Sequence, residues 1–188
     1  MRARLFSWLA DYRDKTRVSG VHTVNKIAAF WPMAHEPDLR QLLTQWAENP
    51  ELTVALPVVQ NRDTPLIFRR WEIDTPMSEG AYGISVPEGS EEITPDVVLV
   101  PTLGFTEQCD RIGYGAGYYD RTLAGLKAAN PALVAIGIAW AVGALDETYQ
   151  PAPHDQRLSA ILTEDGWLPA APGSKPGPAT RTLFTAKV

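Results

Sequence analysis

The residues whose types and order could do chemistry are concentrated in one short run, Arg111-Ile112-Gly113-Tyr114-Gly115-Ala116-Gly117-Tyr118-Tyr119-Asp120-Arg121. Glycines at alternate positions let a backbone turn its amides toward one point with no side chain in the way. Where such a run opens a helix, the unpaired N–H groups and partial positive charge of the helix start favour an anion. The pattern is that of a phosphate cradle. It is not the dinucleotide fingerprint, which needs glycine where Tyr118 stands, nor the P-loop, which needs Gly-Lys-Ser/Thr before the helix. A tight turn without a ligand would use the same glycines, but the neighbours favour the cradle. Arg111 can pair with phosphate oxygens, Asp120 stands in the first helical turn where a carboxylate can hold Mg²⁺, and Tyr118 and Tyr119 offer flat faces to an aromatic ligand. The competing readings are a surface ion pair for Arg111, a helix-terminus charge for Asp120 and core packing for the tyrosines.

Hydrophobic periodicity predicts the elements that must position this run. Residues 4–12 place Leu5, Trp8, Leu9 and Tyr12 on one helical face. Residues 27–33, closed by Pro32, predict a buried strand, and 38–46 a helix with Leu39, Leu42, Leu43 and Trp46 inward. Residues 54–59 and 66–71 predict strands around a turn at Asn61-Arg62-Asp63, with Pro57 at a strand end because proline cannot donate to a ladder. Residues 97–100 and 133–140 predict strands buried on both faces, 119–129 a helix stopped by Asn130-Pro131, and 158–163 a last strand. Such alternation predicts an α/β domain over residues 1–168, a three-layer sandwich with a largely parallel central sheet and helices on both faces. It sets the glycine run between a buried strand and a helix, where ligands of such sheets bind. Residues 169–188, nearly all Pro, Ala and Gly as far as 179, predict a flexible tail or a segment laid over the surface.

Composition narrows the classes. The chain has 188 residues, 45% hydrophobic and 21% charged, as expected of a soluble globular protein that buries about 70% of its unfolded surface. The single cysteine, Cys109, can form no internal disulfide, which fits a reducing cytoplasm. No run approaches 18 apolar residues and the start is amphipathic, so neither a membrane span nor secretion is expected. A net charge of −5 gives nucleic-acid binding no electrostatic support. Residues 71–110 carry nine acids and no base, which reads as a solvated face without function. Cys109 and His154 could be paired as nucleophile and base, but no fitting motif surrounds Cys109, and an unreactive loop thiol is the expectation. His22, His35 and His154 show no i,i+4 pairing and predict no zinc site.

Residues 101–121, with the glycine run at their centre, closely resemble the signature of the 5-formyltetrahydrofolate cyclo-ligases, also called 5,10-methenyltetrahydrofolate synthetases. Further landmarks fall in that family's order: Ala29-Phe30-Trp31-Pro32-Met33 leading into Glu36-Pro37-Asp38, then Val54-Ala55-Leu56-Pro57, Gly80-Ala81-Tyr82-Gly83-Ile84, His154-Asp155 and Thr163-Glu164. The resemblance spans roughly residues 26–168.

The resemblance implies a sheet of the sugar-phosphate isomerase and CoA transferase-like type, with ATP and Mg²⁺ as cofactors. It implies conversion of 5-formyltetrahydrofolate and MgATP to 5,10-methenyltetrahydrofolate, ADP and phosphate, a reaction needing positioning and charge neutralisation more than a side-chain nucleophile. Carried over by position, Arg111, Gly113, Tyr114, Gly115, Ala116, Gly117 and Tyr118 would hold the triphosphate, Arg111 and Tyr118 taking part in catalysis. Asp120 and Asp155 would hold Mg²⁺, Glu36 would hydrogen-bond the pterin, and Pro57, Tyr82 and Tyr119 would line the folate side. Glu36 reads equally as a helix-start carboxylate and Asp155 as a capping or turn residue. A monomer is expected. A binding-only member of the family and another α/β enzyme acting on a phosphorylated metabolite are the alternatives.

The chain departs from the family pattern at Cys109, usually glycine, at Ala116, which requires a negative φ, and at Val86, usually glutamate. Family members also begin with an additional basic helix whose lysine and arginine reach the phosphates. The sequence shows none ahead of residues 4–12, so the chain starts late, or Arg2 and Arg4 substitute, or phosphate binding is weakened.

Overall fold

The computed structural model describes residues 1–20, 23–146 and 148–174. Leu5, Trp8 and Leu9 bury one face of the first helix, α1 (Arg2–Ser19). It outruns the predicted 4–12 because its second half is polar and carries no periodic signal. An i,i+3 ion pair between Asp14 and Arg17 supports that half, and Gly20 ends it at φ 65, its N–H on the Arg17 carbonyl. The chain continues through β1 (Lys26–Ala28), α2 (Arg40–Ala47), β2 (Thr53–Val58), β3 (Ile67–Trp71), β4 (Met77–Glu79), β5 (Ser85–Pro87), β6 (Val97–Pro101), β7 (Gly104–Phe105) and β8 (Arg111–Ile112). Then follow α3 (Tyr118–Ala129), β9 (Val134–Ile138), β10 (Ala160–Leu162) and β11 (Trp167–Leu168).

Seven strands form one sheet in the order β11-β10-β9-β6-β1-β2-β3. The inner strands β10, β9, β6, β1 and β2 run parallel, and β3 and β11 close the edges antiparallel. Strand alternation sends Ile27, Val54, Val97, Leu99 and Ile136 to a core shared with α1 and α2. It sends Ala28, Ala55, Val98, Val100 and Ala135 to a second core that holds Leu123 of α3. The expected α/β layering, with helices on both faces of a mostly parallel sheet, is what forms.

Three expectations are corrected. The strand predicted over 27–33 ends at Ala28: Ala29 still donates to the Ala55 carbonyl at 2.9 Å, but Pro32 has no N–H and a turn closes from Glu36 N to Met33 O at 3.0 Å. The strand predicted over 133–140 is trimmed to Val134–Ile138, and that over 158–163 to Ala160–Leu162. Two hairpins, β4–β5 and β7–β8, had no periodic signal because their strands are two or three residues long. The glycine run therefore follows β8, not the sheet strand β6.

Past residue 168 the chain lies against α1: Trp8 Nε1 donates to the Pro172 carbonyl at 2.9 Å. The rest of the predicted tail, 175–188, and His22 lie outside the described residues. No helix among the described residues is long and apolar enough to cross a membrane.

Candidate active site

The order of the sheet reverses at β1: the chain passes to β2 on one side, and β6, β9 and β10 lie on the other. Strand ends diverge at such a point and leave a crevice. A cavity of about 600 Å³ opens there, lined by Phe30 beyond β1, Pro57 and Val59 at the end of β2, and Pro101 at the end of β6. Small-molecule sites typically measure about 300–1,000 Å³. The glycine run forms the opposite wall.

Two glycines of the run need their freedom. Gly115 at φ 84 and Gly117 at φ 67 lie in the left-handed region, and Gly117 is the residue that caps α3. Ala116 is absent from the positive-φ residues, as alanine requires. Gly113 is glycine for a different reason: a Cβ there would strike Nη1 of Arg111.

Arg111 is not a surface ion pair, being only 7% exposed. Its Nη2 donates to Asp120 Oδ2 at 2.9 Å, and its guanidinium carbon lies 5.6 Å from the Tyr119 ring centre. Asp120 Oδ1 accepts the Gln156 N–H at 3.1 Å, so both ends of the pair are fixed. One turn into α3, Arg121 donates from Nη2 to the Ala116 carbonyl at 2.7 Å, its guanidinium 5.3 Å over the Tyr118 ring. Arg111 Nε, Arg121 Nε and the Tyr119 hydroxyl are buried without a hydrogen-bond partner. Arg111 and Tyr119 line the cavity and Arg121 does not, so two of the three orphaned donors belong to its wall, and unpaired buried donors suit an anion. Burial, with the Glu36 charge behind it, pushes the Tyr119 phenol well above its ordinary value, so it remains a protonated donor.

On the facing wall Glu36 is held twice. Oε2 accepts the Met33 N–H at 2.7 Å, closing the 33–36 turn ahead of α2 and not capping that helix, and Oε1 accepts the Tyr114 hydroxyl at 2.9 Å. Burial first, then Glu36, raises the Tyr114 phenol. Tyr82 stands at the β4–β5 turn with φ 62 and 71% exposed, its hydroxyl 3.3 Å from that of Tyr118 and the two rings edge to face. The hydrogen bond to Tyr82 is the first cause of a raised Tyr118 phenol. Pro57 sits one residue inside the end of β2, opposite Phe68.

Asp155 Oδ2 accepts the Ala152 N–H at 2.8 Å, closing a turn and capping no helix, and Oδ1 lies 3.6 Å from His154 Nε2. Asp120 and Asp155 both face the cavity, and no cluster of three or more His, Cys, Asp or Glu suited to a metal exists among the described residues. Two carboxylates without a protein cage fit Mg²⁺ arriving with phosphate oxygens, since that ion keeps waters and few protein ligands.

Every site residue predicted from sequence lines this one cavity: Glu36, Pro57, Tyr82, Arg111, Gly113, Tyr114, Gly115, Ala116, Gly117, Tyr118, Tyr119, Asp120 and Asp155. Arg2 and Arg4 do not. Arg4 instead donates to the Glu164 carbonyl and lines a groove beside Trp8 and Trp167, so it does not substitute for a phosphate-binding helix. Sequence reasoning missed Trp31 and Met33, whose apolar character was taken for strand, and Val86, Tyr149 and His154. It also left Arg121 without a role although the run contains it. Cys109 is 4% exposed with φ 65, explaining why glycine suits the position, and burial pushes its thiol up to about 11. It is not a nucleophile paired with His154, which lines the cavity while Cys109 does not.

Residues 15–164 match the family model for 5-formyltetrahydrofolate cyclo-ligases. The chain is similar to the 5-formyltetrahydrofolate cyclo-ligase of Haemophilus influenzae, 30% identical over 121 residues covering 61% of this chain and 63% of that protein. It thus spans somewhat less than two thirds of that relative. It is 27% identical to the Mycoplasma pneumoniae protein of the same name over 142 residues, 76% of this chain and 74% of that one. In fold it is similar to the solution structure of Aquifex aeolicus 5,10-methenyltetrahydrofolate synthetase, with a TM-score of 0.66 and 23% identity over 86% of this chain and 78% of the other. The M. pneumoniae synthetase structure gives a TM-score of 0.55 at 22% identity, covering 78% and 79%.

Proposed function

The chain belongs to the 5-formyltetrahydrofolate cyclo-ligase family, and on that premise we propose that it converts 5-formyltetrahydrofolate to 5,10-methenyltetrahydrofolate with ATP consumed to ADP and phosphate. The observation that carries this reading is the single cavity whose one wall is an anion cradle with orphaned donors and whose other wall is a carboxylate among aromatic rings. Phosphoryl transfer to the formyl oxygen turns it into a leaving group. N10 then closes the ring, losing its proton, as phosphate departs with that oxygen.

The amides of residues 113–117 and the start of α3 bind the triphosphate, and Arg111, oriented by Asp120, neutralises charge growing on the transferred group. Arg121 supplies a second cation behind the loop. Tyr118 and Tyr82 form the rim between the two ligands, and Glu36 accepts N–H donors of the pterin, with Pro57 and Tyr119 beside it. Mg²⁺, held by Asp120 and Asp155, would offset phosphate charge and set the phosphoryl group in line. A monomer in the cytoplasm and a sheet of the sugar-phosphate isomerase and CoA transferase-like type complete the proposal.

A second reading, binding without turnover, is favoured by one observation: among the described residues Arg111 is the only lysine or arginine lining the cavity. Measuring ADP release separates the two. Release that requires 5-formyltetrahydrofolate supports the ligase, and tight binding of both ligands with no ADP formed supports the binder.

A further inference from the structure

One hydrogen bond joins walls that the proposed reaction must use separately. The Tyr114 hydroxyl donates to Glu36 Oε1 at 2.9 Å across 78 residues of sequence, while Oε2 is held by the Met33 N–H. The carboxylate oxygen turned toward the loop is therefore occupied by a side chain of the loop itself. Little else fixes Tyr114 there. It is 54% exposed, and it stands between Gly113 and Gly115, where a Cβ at Gly115 would meet nothing within 4 Å. With φ 84 and open space at Gly115, the loop has a pivot beside the tyrosine, while Arg121 holds the Ala116 carbonyl on its far side.

We propose that Tyr114 is a positioning residue that latches the phosphate-cradling loop to Glu36 and must be displaced by substrate before the carboxylate can be used. The inference rests on the proposed function for the identity of that substrate, a ring presenting adjacent N–H donors. Such a donor pair matches a carboxylate better than one phenol does, and it competes for the same oxygen. Glu36 is in place before binding, held in line by two hydrogen bonds, and the substrate exchanges one of them. The free protein binds more weakly than an open pocket would, its Kd raised by the reciprocal of the fraction of molecules in which the latch is open.

Tyr114→Phe keeps the ring and deletes the hydroxyl. Two measurements on the full chain test the latch: amide hydrogen exchange of residues 111–121 without ligand, and the Kd for 5-formyltetrahydrofolate without nucleotide. The latch predicts faster exchange across the loop and a Kd tightened about three- to tenfold, the worth of one ordinary net hydrogen bond, as suits a tyrosine this exposed. A role confined to structural support would weaken binding instead. Exchange equal to that of the unaltered protein overturns the latch, and so does faster exchange with an unchanged or weaker Kd. If the unaltered protein binds no 5-formyltetrahydrofolate at all, the proposed function fails first and the competition with it.

Discussion

Replacing Arg111 by alanine separates what this side chain does for the fold from what it does for the reaction. Its side chain is 5% exposed and that of Asp120 14%, joined at 2.9 Å. Removing one partner of a buried pair typically costs about 3–5 kcal/mol, because a charge is left in a poor solvent without compensation. Asp120 keeps the Gln156 N–H and faces a cavity, so the low end, about 3 kcal/mol of unfolding free energy, is expected. Urea unfolding followed by tryptophan fluorescence reads this directly. The double variant Arg111→Ala/Asp120→Asn should recover part of the loss, since its buried group is no longer charged. In steady-state kinetics kcat should fall by roughly a hundredfold or more, the scale for losing a preorganised charge at a developing anion. The Kd for 5-formyltetrahydrofolate should change little, because Glu36 lies on the other wall. A loss of stability below about 1 kcal/mol would refute the buried-pair description. Preserved kcat with collapsed folate affinity would move Arg111 to the substrate wall.

Asp120→Asn should weaken nucleotide binding with Mg²⁺ far more than without it, and equal MgATP affinity in calorimetric titration would discard the metal role. Gly113→Ala should destabilise by about 1–3 kcal/mol and displace the Arg111 guanidinium, whereas Gly125→Ala, in α3 with open space around it, should stabilise by up to about 1 kcal/mol. Cys109→Gly should unfold at no lower urea concentration than Cys109→Ala despite having one carbon fewer, because φ 65 strains alanine and not glycine. Arg157, aided by Thr106, holds the Asp110 carboxyl below its ordinary value, so the pair stabilises the fold above the unfolded value near 3.9 and that stability fades as pH falls through the lower folded one. Acid titration of Arg157→Ala should show a shallower loss of stability between about pH 4 and 2.

The strands of the central sheet were legible because 97–100 and 134–138 are short continuous apolar runs, which only burial on both faces explains. The same rule misled at Trp31 and Met33, apolar because they line a cavity and not because they pair. The hairpins that deliver Tyr82 and Arg111 are too short for period-two alternation to register, and they rest on turns such as Thr106–Asp110, whose hydroxyl-to-carboxylate bond forms only once the chain folds back. The cradle was visible through glycine spacing and the flanking charges. Its partnerships were not: Arg111 with Asp120 is set by where β8 leaves α3, and Tyr114 with Glu36 by the meeting of distant segments at the switch between β1 and β6. Cys109 illustrates the limit in one residue, since its strained φ is a property of the turn that no composition reveals.

The central claim is that the cradle and the Glu36 wall form one site that closes a ring. Mixing the full chain with 5-formyltetrahydrofolate, ATP and Mg²⁺ and following the near-ultraviolet absorption of the methenyl product tests it most directly. The account predicts a rise in absorption that needs both substrates, matches ADP released one for one, and is nearly abolished in Arg111→Ala. Absorption that stays flat in a protein shown to be folded and to bind both ligands would contradict it.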